Sequence, residues 1–93
     1  MNLPVVFGPR ARKEFDAAAD YYRAIRPALA HQFTDAVTAT LNLVAHQPEI
    51  GTMIGNNRRQ ILATGFPYKI WYRIVGGKIR VVALIHGKRK RTF

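Results

Sequence analysis

The sequence predicts an α+β fold of order β-α-α-β-β-β, with a helical hairpin packed on one face of a small, mainly antiparallel sheet. Three observations predict it. Apolar side chains recur every three or four residues between positions 9 and 47, as in amphipathic helices. Apolar and polar residues then alternate from position 66, as in a half-buried strand. The pair Gly76-Gly77 follows, and it favours a two-residue hairpin turn.

The composition is that of one globular domain covering residues 1–93. Apolar residues make up 48% of the 93-residue chain, which is enough for a modest core at this length. The chain has no cysteine, so neither a disulfide framework nor a thiolate zinc site is predicted. The sequence contains no apolar signal region and no run long enough to span a membrane. We therefore expect a cytoplasmic protein without a membrane partner.

The N-terminal half predicts one short strand and two helices. Residues 3–7, "LPVVF", are apolar and partly β-branched, as in a strand. A helix is expected over residues 9–25, with a proline suited to its first position. The pair Arg26-Pro27 ends it and starts a second helix reaching residue 47, and so short a link predicts an antiparallel hairpin. The apolar stripes are Phe15, Ala18, Ala19, Tyr22 and Ile25 on the first helix and Leu29, Phe33, Val37, Leu41 and Val44 on the second.

The C-terminal half predicts three strands after a turn-rich segment, "EIGTMIGNNRR". Alternation in the second of these strands places Lys69, Trp71 and Arg73 on the face opposite the apolar set. The third strand is nearly continuously apolar, so we interpret it as central in the sheet. The three strands are expected over residues 58–63, 66–75 and 78–85.

The charge is segregated along the chain. Fifteen Lys and Arg against five acids give a net charge of +10. Residues 1–50 contain five basic and five acidic residues, so the whole +10 belongs to residues 51–93, which contain no acid. Such asymmetry indicates a polyanionic partner, either nucleic acid or an acidic protein.

The three histidines have different settings. His31 and His46 lie fifteen residues apart on the second predicted helix, and no carboxylate completes a metal site with them. We interpret both as partly exposed helix residues. His86 ends the last strand, directly before the basic segment "GKRKRTF". Because its side chain can donate or accept a proton near physiological pH, His86 is either a catalytic candidate or an ordinary strand end.

The cations of the sheet and tail are candidates to bind phosphate, which arginine binds through two parallel hydrogen bonds. Trp71 lies among them and either stacks on a base or covers the sheet beneath a partner helix. No carboxylate follows Glu49 to hold magnesium, so we predict no metal and no cofactor. RNA cleavage here would use the 2′-hydroxyl as nucleophile and basic side chains to stabilise the phosphate. The candidates on the open face are Arg58 or Arg59, Lys69, Arg73, Lys88, Arg89 and Arg91.

Four segments together resemble the RelE/ParE superfamily of bacterial type II toxin–antitoxin toxins. They are "ADYYRAIRPALAHQF", "HQPEIG", "RRQILATGFPYKIWYRI" and "VVALIHGKRKRTF", and the resemblance covers nearly the whole chain. The end of the last strand is similar to the plasmid-stabilisation branch, with a His, an Arg three residues on and a terminal aromatic residue. Here those residues are His86, Arg89 and Phe93.

The resemblance implies a toxin that forms a hetero-oligomer with a cognate antitoxin carrying an acidic, amphipathic segment. RelE-like members cut messenger RNA on the ribosome without metal, whereas ParE-like members poison DNA gyrase. Phe93 departs from the tail Tyr of many ribosome-dependent members, and the long helical hairpin is closer to the gyrase-directed ones. Carried over by position, the catalytic residues would be Lys69, His86 and Arg89. Those binding nucleic acid or antitoxin would be Arg58, Arg59, Trp71, Arg73, Lys88, Arg91 and Phe93.

The function predicted on these grounds is growth arrest by a metal-independent messenger RNA endoribonuclease that acts with the ribosome. Two alternatives stay open at this point. One is inhibition of DNA gyrase, and the other is a basic nucleic-acid-binding module without catalysis.

Overall fold

The computed structural model describes residues 2–87 as two helices packed on one face of a five-stranded sheet. The strand order is β1-β5-β4-β3-β2; only the β1–β5 pair is parallel. The predicted α+β class is therefore confirmed. The elements are β1 (Val5–Phe7), α1 (Pro9–Ile25), α2 (Pro27–His46), β2 (Thr52–Gly55), β3 (Arg58–Leu62), β4 (Tyr68–Val75) and β5 (Lys78–His86).

Strand β2 corrects the predicted order, which becomes β-α-α-β-β-β-β. The segment interpreted only as turns contains this strand, which pairs antiparallel with β3 at the sheet edge. All four of its residues are exposed, so no buried alternation marks it in the sequence. Strand β5 is an interior strand, as predicted, with β4 and β1 on either side of it, and β4 is the middle strand of the five.

The two helices form the predicted hairpin, and each begins with a proline at its first position. Arg26 alone separates them. Helix α1 ends where expected, and α2 ends one residue earlier than predicted. Their facing stripes bury aromatic and aliphatic side chains against the sheet, and Phe33 is fully buried at the centre. No helix within residues 2–87 is long and apolar enough to cross a membrane.

The sheet has one face under the helices and one open face. On β4, the side chains of Tyr68, Ile70 and Tyr72 are buried beneath the helices, as the alternation predicts. The intervening residues of β4 are half-buried on the other side. Val82 is an extra residue in β5, since Trp71 pairs with Ala83 and Tyr72 with Val81. The open face carries Arg58, Gln60 and Leu62 from β3, Lys69, Trp71 and Arg73 from β4, and Arg80, Ala83 and Ile85 from β5.

The hairpin turn between β4 and β5 sets the register of the basic face. Val75 pairs with Lys78, so the turn has two residues, Gly76 and Gly77. Their φ angles are 55° and 75°, which residues with a side chain rarely adopt. This turn therefore determines which residue of β5 lies opposite each residue of β4.

Candidate functional site

Three arginines form a row across the open face, on three adjacent strands. Arg73 of β4 pairs directly with Arg80 of β5. Arg59 pairs with Tyr72, so one step along the ladder Arg58 of β3 lies opposite Arg73 on its other side. We call Arg58, Arg73 and Arg80 the arginine row. Because neighbouring strands lie about 4.8 Å apart, the backbones that carry the row span about 10 Å.

Little in the described structure neutralises the positive charge of the arginine row. The Nε atoms of Arg58 and Arg73 are buried and have no hydrogen-bond partner among residues 2–87. Like charges directly opposite each other in a sheet destabilise it. The ion pairs within residues 2–87 join Arg10 to Glu14, Arg12 to Asp16 and Arg23 to Asp20, all on α1. The structure therefore keeps the acids on the helical side of the molecule and leaves the row without a carboxylate.

Trp71 is held in place on the open face next to the row. Its indole Nε1–H donates a hydrogen bond to Oε1 of Gln60, 2.9 Å away. The guanidinium carbon of Arg58 lies 5.5 Å from the centre of the ring, a cation–π distance. Of its two predicted roles, base stacking is the less favoured by this geometry, because the protein itself already contacts the indole.

Lys69 lies on the open face but at the other end of β4 from the row. It pairs with Leu62 of β3 and with Ile85 of β5. Arg73 is four residues away on the same strand, about 13 Å along it. Lys69 and the row therefore share a face without sharing one contact point.

Arg59 lies on the helical side, where it fastens a loop. Its Nη1 donates to the carbonyl oxygens of Glu49 and Gly51, at 3.1 and 2.9 Å. The hydroxyl of Tyr72 supports the same loop: it donates to the carbonyl of Pro48 at 2.8 Å and accepts the N–H of Gly51 at 2.9 Å. Of the alternatives Arg58 and Arg59, only Arg58 lies on the open face, because adjacent residues of a strand point to opposite faces.

His86 and Lys69 leave opposite faces of the sheet. His86 pairs with Tyr68, and the two rings meet edge-on beneath the helices with their centres 5.1 Å apart. Lys69 follows Tyr68 and therefore points to the open face. The structure therefore does not bring Lys69 and His86 together, and the third predicted catalytic residue, Arg89, lies outside residues 2–87.

A cavity of about 430 Å³ lies between α1 and the end of β5, beside His86. Glu14 enters it from α1. Its Oε1 accepts a hydrogen bond from the backbone N–H of Leu84 at 2.8 Å, and its Oε2 accepts one from Nε of Arg10 at 2.9 Å. The polar and aromatic lining comprises Arg10, Glu14, Tyr21, Tyr68 and His86.

Two residues of these sites are absent from the sequence-based candidates. Arg80 could have been found by counting outwards from the two-residue turn at Gly76 and Gly77, which pairs position 80 with Arg73. Glu14 could not, since its partner on β5 lies seventy residues further along the chain.

Four predicted residues lie outside the described part of the chain: Lys88, Arg89, Arg91 and Phe93. Their predicted roles stay predictions. Within residues 2–87, no three His, Asp or Glu side chains form a group that could hold a metal ion.

Comparison with known proteins identifies the class of this small basic α+β domain. A family model described as the ParE toxin of the type II toxin–antitoxin system parDE matches residues 5–91. The chain therefore belongs to the ParE toxin family, and the predicted RelE/ParE superfamily membership is confirmed. It is a toxin of the type II toxin–antitoxin class.

A solved structure shares the fold. It is described as the chromosomal ParDE TA system from P. aeruginosa, and it matches with a TM-score of 0.73. The match covers 90% of this chain and 95% of that chain at 18% sequence identity. No curated protein matches the chain.

Proposed function

We propose that this toxin arrests growth by inhibiting DNA gyrase. The observation that carries the proposal is the separation of Lys69 from His86 by the sheet. Metal-independent cleavage of RNA needs a proton carrier and a cation at the same phosphate. Within residues 2–87, Lys69 and His86 lie on opposite faces of the sheet. We therefore favour a toxin that acts by binding its target and not by cleaving RNA. The family match to ParE toxins supports the same choice.

The predicted ribonuclease is the competing function. It would require His86 to be joined by cations at the helical side of the sheet, beside the cavity that Glu14 and Tyr21 line. Arg10 is the arginine in the lining of that cavity, and its Nε is already paired with the Glu14 carboxylate at 2.9 Å, so it is not free to hold a phosphate. This pairing favours gyrase over messenger RNA as the target.

We also propose a cognate antitoxin as partner, bound through an acidic, amphipathic segment in a hetero-oligomer. The support is the net charge of +10, all of it in residues 51–93. Complementary charge mainly speeds association, and salt weakens that effect. The antitoxin from the native operon should co-purify with the toxin, and its association rate should fall as ionic strength rises. An association rate that is insensitive to salt would contradict this.

Induction in cells distinguishes the two targets. Ribosome-associated messenger cleavage and gyrase-linked DNA breaks are measured together for the wild type, His86→Ala and Lys69→Ala. His31→Ala, at an exposed histidine of α2, is the matched control. We expect intact messengers, accumulated gyrase-linked breaks and continued toxicity of His86→Ala. Cut messengers, with cutting abolished in both His86→Ala and Lys69→Ala but not in His31→Ala, would refute the gyrase proposal.

A further inference from the structure

We propose that the arginine row binds the phosphate backbone of duplex DNA and does so without reading its sequence. The ligand of the open face would therefore be DNA. This inference is linked to the proposed function only because a gyrase complex contains DNA as well as protein. The row itself can be tested on DNA alone.

The geometry of the row suits a phosphate backbone. Arg58, Arg73 and Arg80 lie on three neighbouring strands, and their backbones span about 10 Å. Duplex DNA carries phosphates densely along each strand, one for each 3.4 Å of helix rise, so a row of cations about 10 Å long can contact more than one phosphate. The planar guanidinium group, with its fork of N–H donors, is the side chain best matched to phosphate oxygens.

The positive charge of the row is not neutralised by a carboxylate within residues 2–87, which favours the binding of an anion. The Nε donors of Arg58 and Arg73 are buried without a partner in residues 2–87. Arg10 and Arg12 on α1, in contrast, each have a carboxylate within 3.4 Å. An arrangement that holds three unneutralised cations opposite one another costs stability in the free protein, and residues that do so are commonly retained for function.

The surroundings of the row favour duplex over single-stranded nucleic acid. Single strands bind mainly by stacking bases on aromatic side chains. Trp71 is the aromatic residue beside the row, and Gln60 and Arg58 already hold its ring. Contacts to phosphate alone carry no sequence information, so the row should bind duplexes of any sequence equally well.

The row is set apart from two cavities that the anchoring side chains of a partner protein could fill. Most of the binding energy of a protein interface comes from a few aromatic, apolar or arginine anchors fitted into pockets. Two cavities of the described chain lie elsewhere: one is beside His86, and the other is lined by Leu3, Pro48 and Ile74. We therefore favour DNA over an acidic peptide as the ligand of this row.

The test measures binding of the full-length toxin to a fluorescent DNA duplex at several salt concentrations. Arg73→Gln removes the central arginine, and Arg12→Gln removes an equal charge from α1 as the matched control. We expect Arg73→Gln to weaken binding about tenfold and to reduce the slope of log affinity against log salt by about 1. Arg12→Gln should leave that slope unchanged, and AT-rich and GC-rich duplexes should bind equally.

Folding is monitored by thermal unfolding of the same variants. Arg73→Gln relieves repulsion along the row, so its thermal midpoint should equal or exceed that of the wild type. Weaker DNA binding without loss of stability would identify Arg73 as a binding residue. If the midpoint falls together with DNA binding, Arg80→Gln provides the second test at the row. Weaker DNA binding of Arg80→Gln without loss of stability would support the proposal, and unchanged DNA binding would overturn it.

Three results would overturn the proposal. The first is an equal loss of DNA affinity in Arg73→Gln and Arg12→Gln, and the second is tighter binding of a single-stranded RNA than of a DNA duplex of the same length. The third is that Arg73→Gln weakens the binding of polyglutamate, a probe for an acidic protein segment, but leaves DNA binding unchanged. The same proteins are assayed for inhibition of purified gyrase. Row-dependent DNA binding without gyrase inhibition would leave this inference standing and refute the proposed function. If Arg73→Gln and Arg80→Gln both still inhibit gyrase and neither weakens DNA binding, the proposed function stands and this inference is refuted.

Discussion

Glu14 of α1 accepts a hydrogen bond from the backbone N–H of Leu84 in β5, with its carboxylate oxygen 2.8 Å from the nitrogen. Leu84 lies beyond Val81, the last residue of β5 that pairs with β1. The side chain of a helix residue therefore satisfies a backbone donor at the point where the neighbouring strand has ended. Unpaired edges of this kind are places where another chain can add a strand.

Replacing Glu14 should destabilise the fold. Glu14→Ala leaves the Leu84 N–H without its acceptor, so we expect the free energy of unfolding to fall by about 1–3 kcal/mol. Glu14→Gln keeps an acceptor oxygen and should lose less. Asp16→Ala, which removes the exposed ion pair with Arg12, is the control and should cost at most about 1 kcal/mol. Urea unfolding measures all three, and equal losses in Glu14→Ala and Asp16→Ala would contradict the assignment.

The hydroxyl of Tyr72 should matter more than its ring for holding the loop after α2. Tyr72→Phe removes the part-buried hydrogen bond to the Pro48 carbonyl and the buried one from the Gly51 N–H. We expect the variant to lose about 1–3 kcal/mol of unfolding free energy. Tyr21→Phe, at a tyrosine that is 61% exposed, should change it by less than about 0.5 kcal/mol. A neutral Tyr72→Phe would show that the loop is held by other contacts.

Gly51 should tolerate no side chain, for reasons of space. A Cβ atom on Gly51 would lie 2.6 Å from the hydroxyl oxygen of Tyr72 and 3.0 Å from the carbonyl oxygen of Gln60. We expect Gly51→Ala to cost about 1–3 kcal/mol, typical of overpacking. Combined with Tyr72→Phe it should cost less than the sum of the two single changes, because the nearest clashing atom has gone. Additive losses in chemical unfolding would argue against this contact.

Stability should fall in alkaline solution. Burial raises the pKa of Tyr72 above its ordinary value of about 10, and the Gly51 hydrogen bond and the Arg59 charge only partly oppose this. Burial likewise raises the pKa of Tyr22, helped by neighbouring Tyr68. A raised pKa means that the folded state holds the phenolic proton more tightly than the unfolded state. The free energy of unfolding should thus be insensitive to these groups below about pH 10 and decrease above it.

The measurement is urea unfolding between pH 8 and pH 11 for the wild type and for Tyr22→Phe and Tyr72→Phe. Each variant lacks one of the two ionisable phenols, so its stability should decline less steeply above pH 10 than that of the wild type. Identical slopes in all three proteins would place the responsible ionisations elsewhere.

Local sequence signals were sufficient for the main elements and for part of the site. Proline at the first position of each helix and the three- and four-residue apolar spacing predicted α1 and α2 to within one residue. Period-two alternation placed Lys69, Trp71 and Arg73 on one face of β4, as the structure has them. These predictions succeeded because helix and strand periodicity are properties of neighbouring residues.

The failures have a physical reason in common. Strand β2 has no buried face, so it forms only through backbone pairing with β3, which leaves no pattern in its side chains. Arg59 was grouped with Arg58, although adjacent residues of a strand point to opposite faces. The family resemblance implies His86 and Lys69 as parts of one catalytic set, but their strand positions place the sheet between them.

By itself, the sequence determined the class of the fold, the segregation of charge and the family resemblance, because each depends on local spacing or composition. Only the tertiary structure decided how distant residues combine: Arg58 reaches the arginine row, and Glu14 meets Leu84. The reason is that strand order and helix packing bring together residues with no relation along the chain. A one-residue difference in register sends a side chain to the opposite face of the sheet.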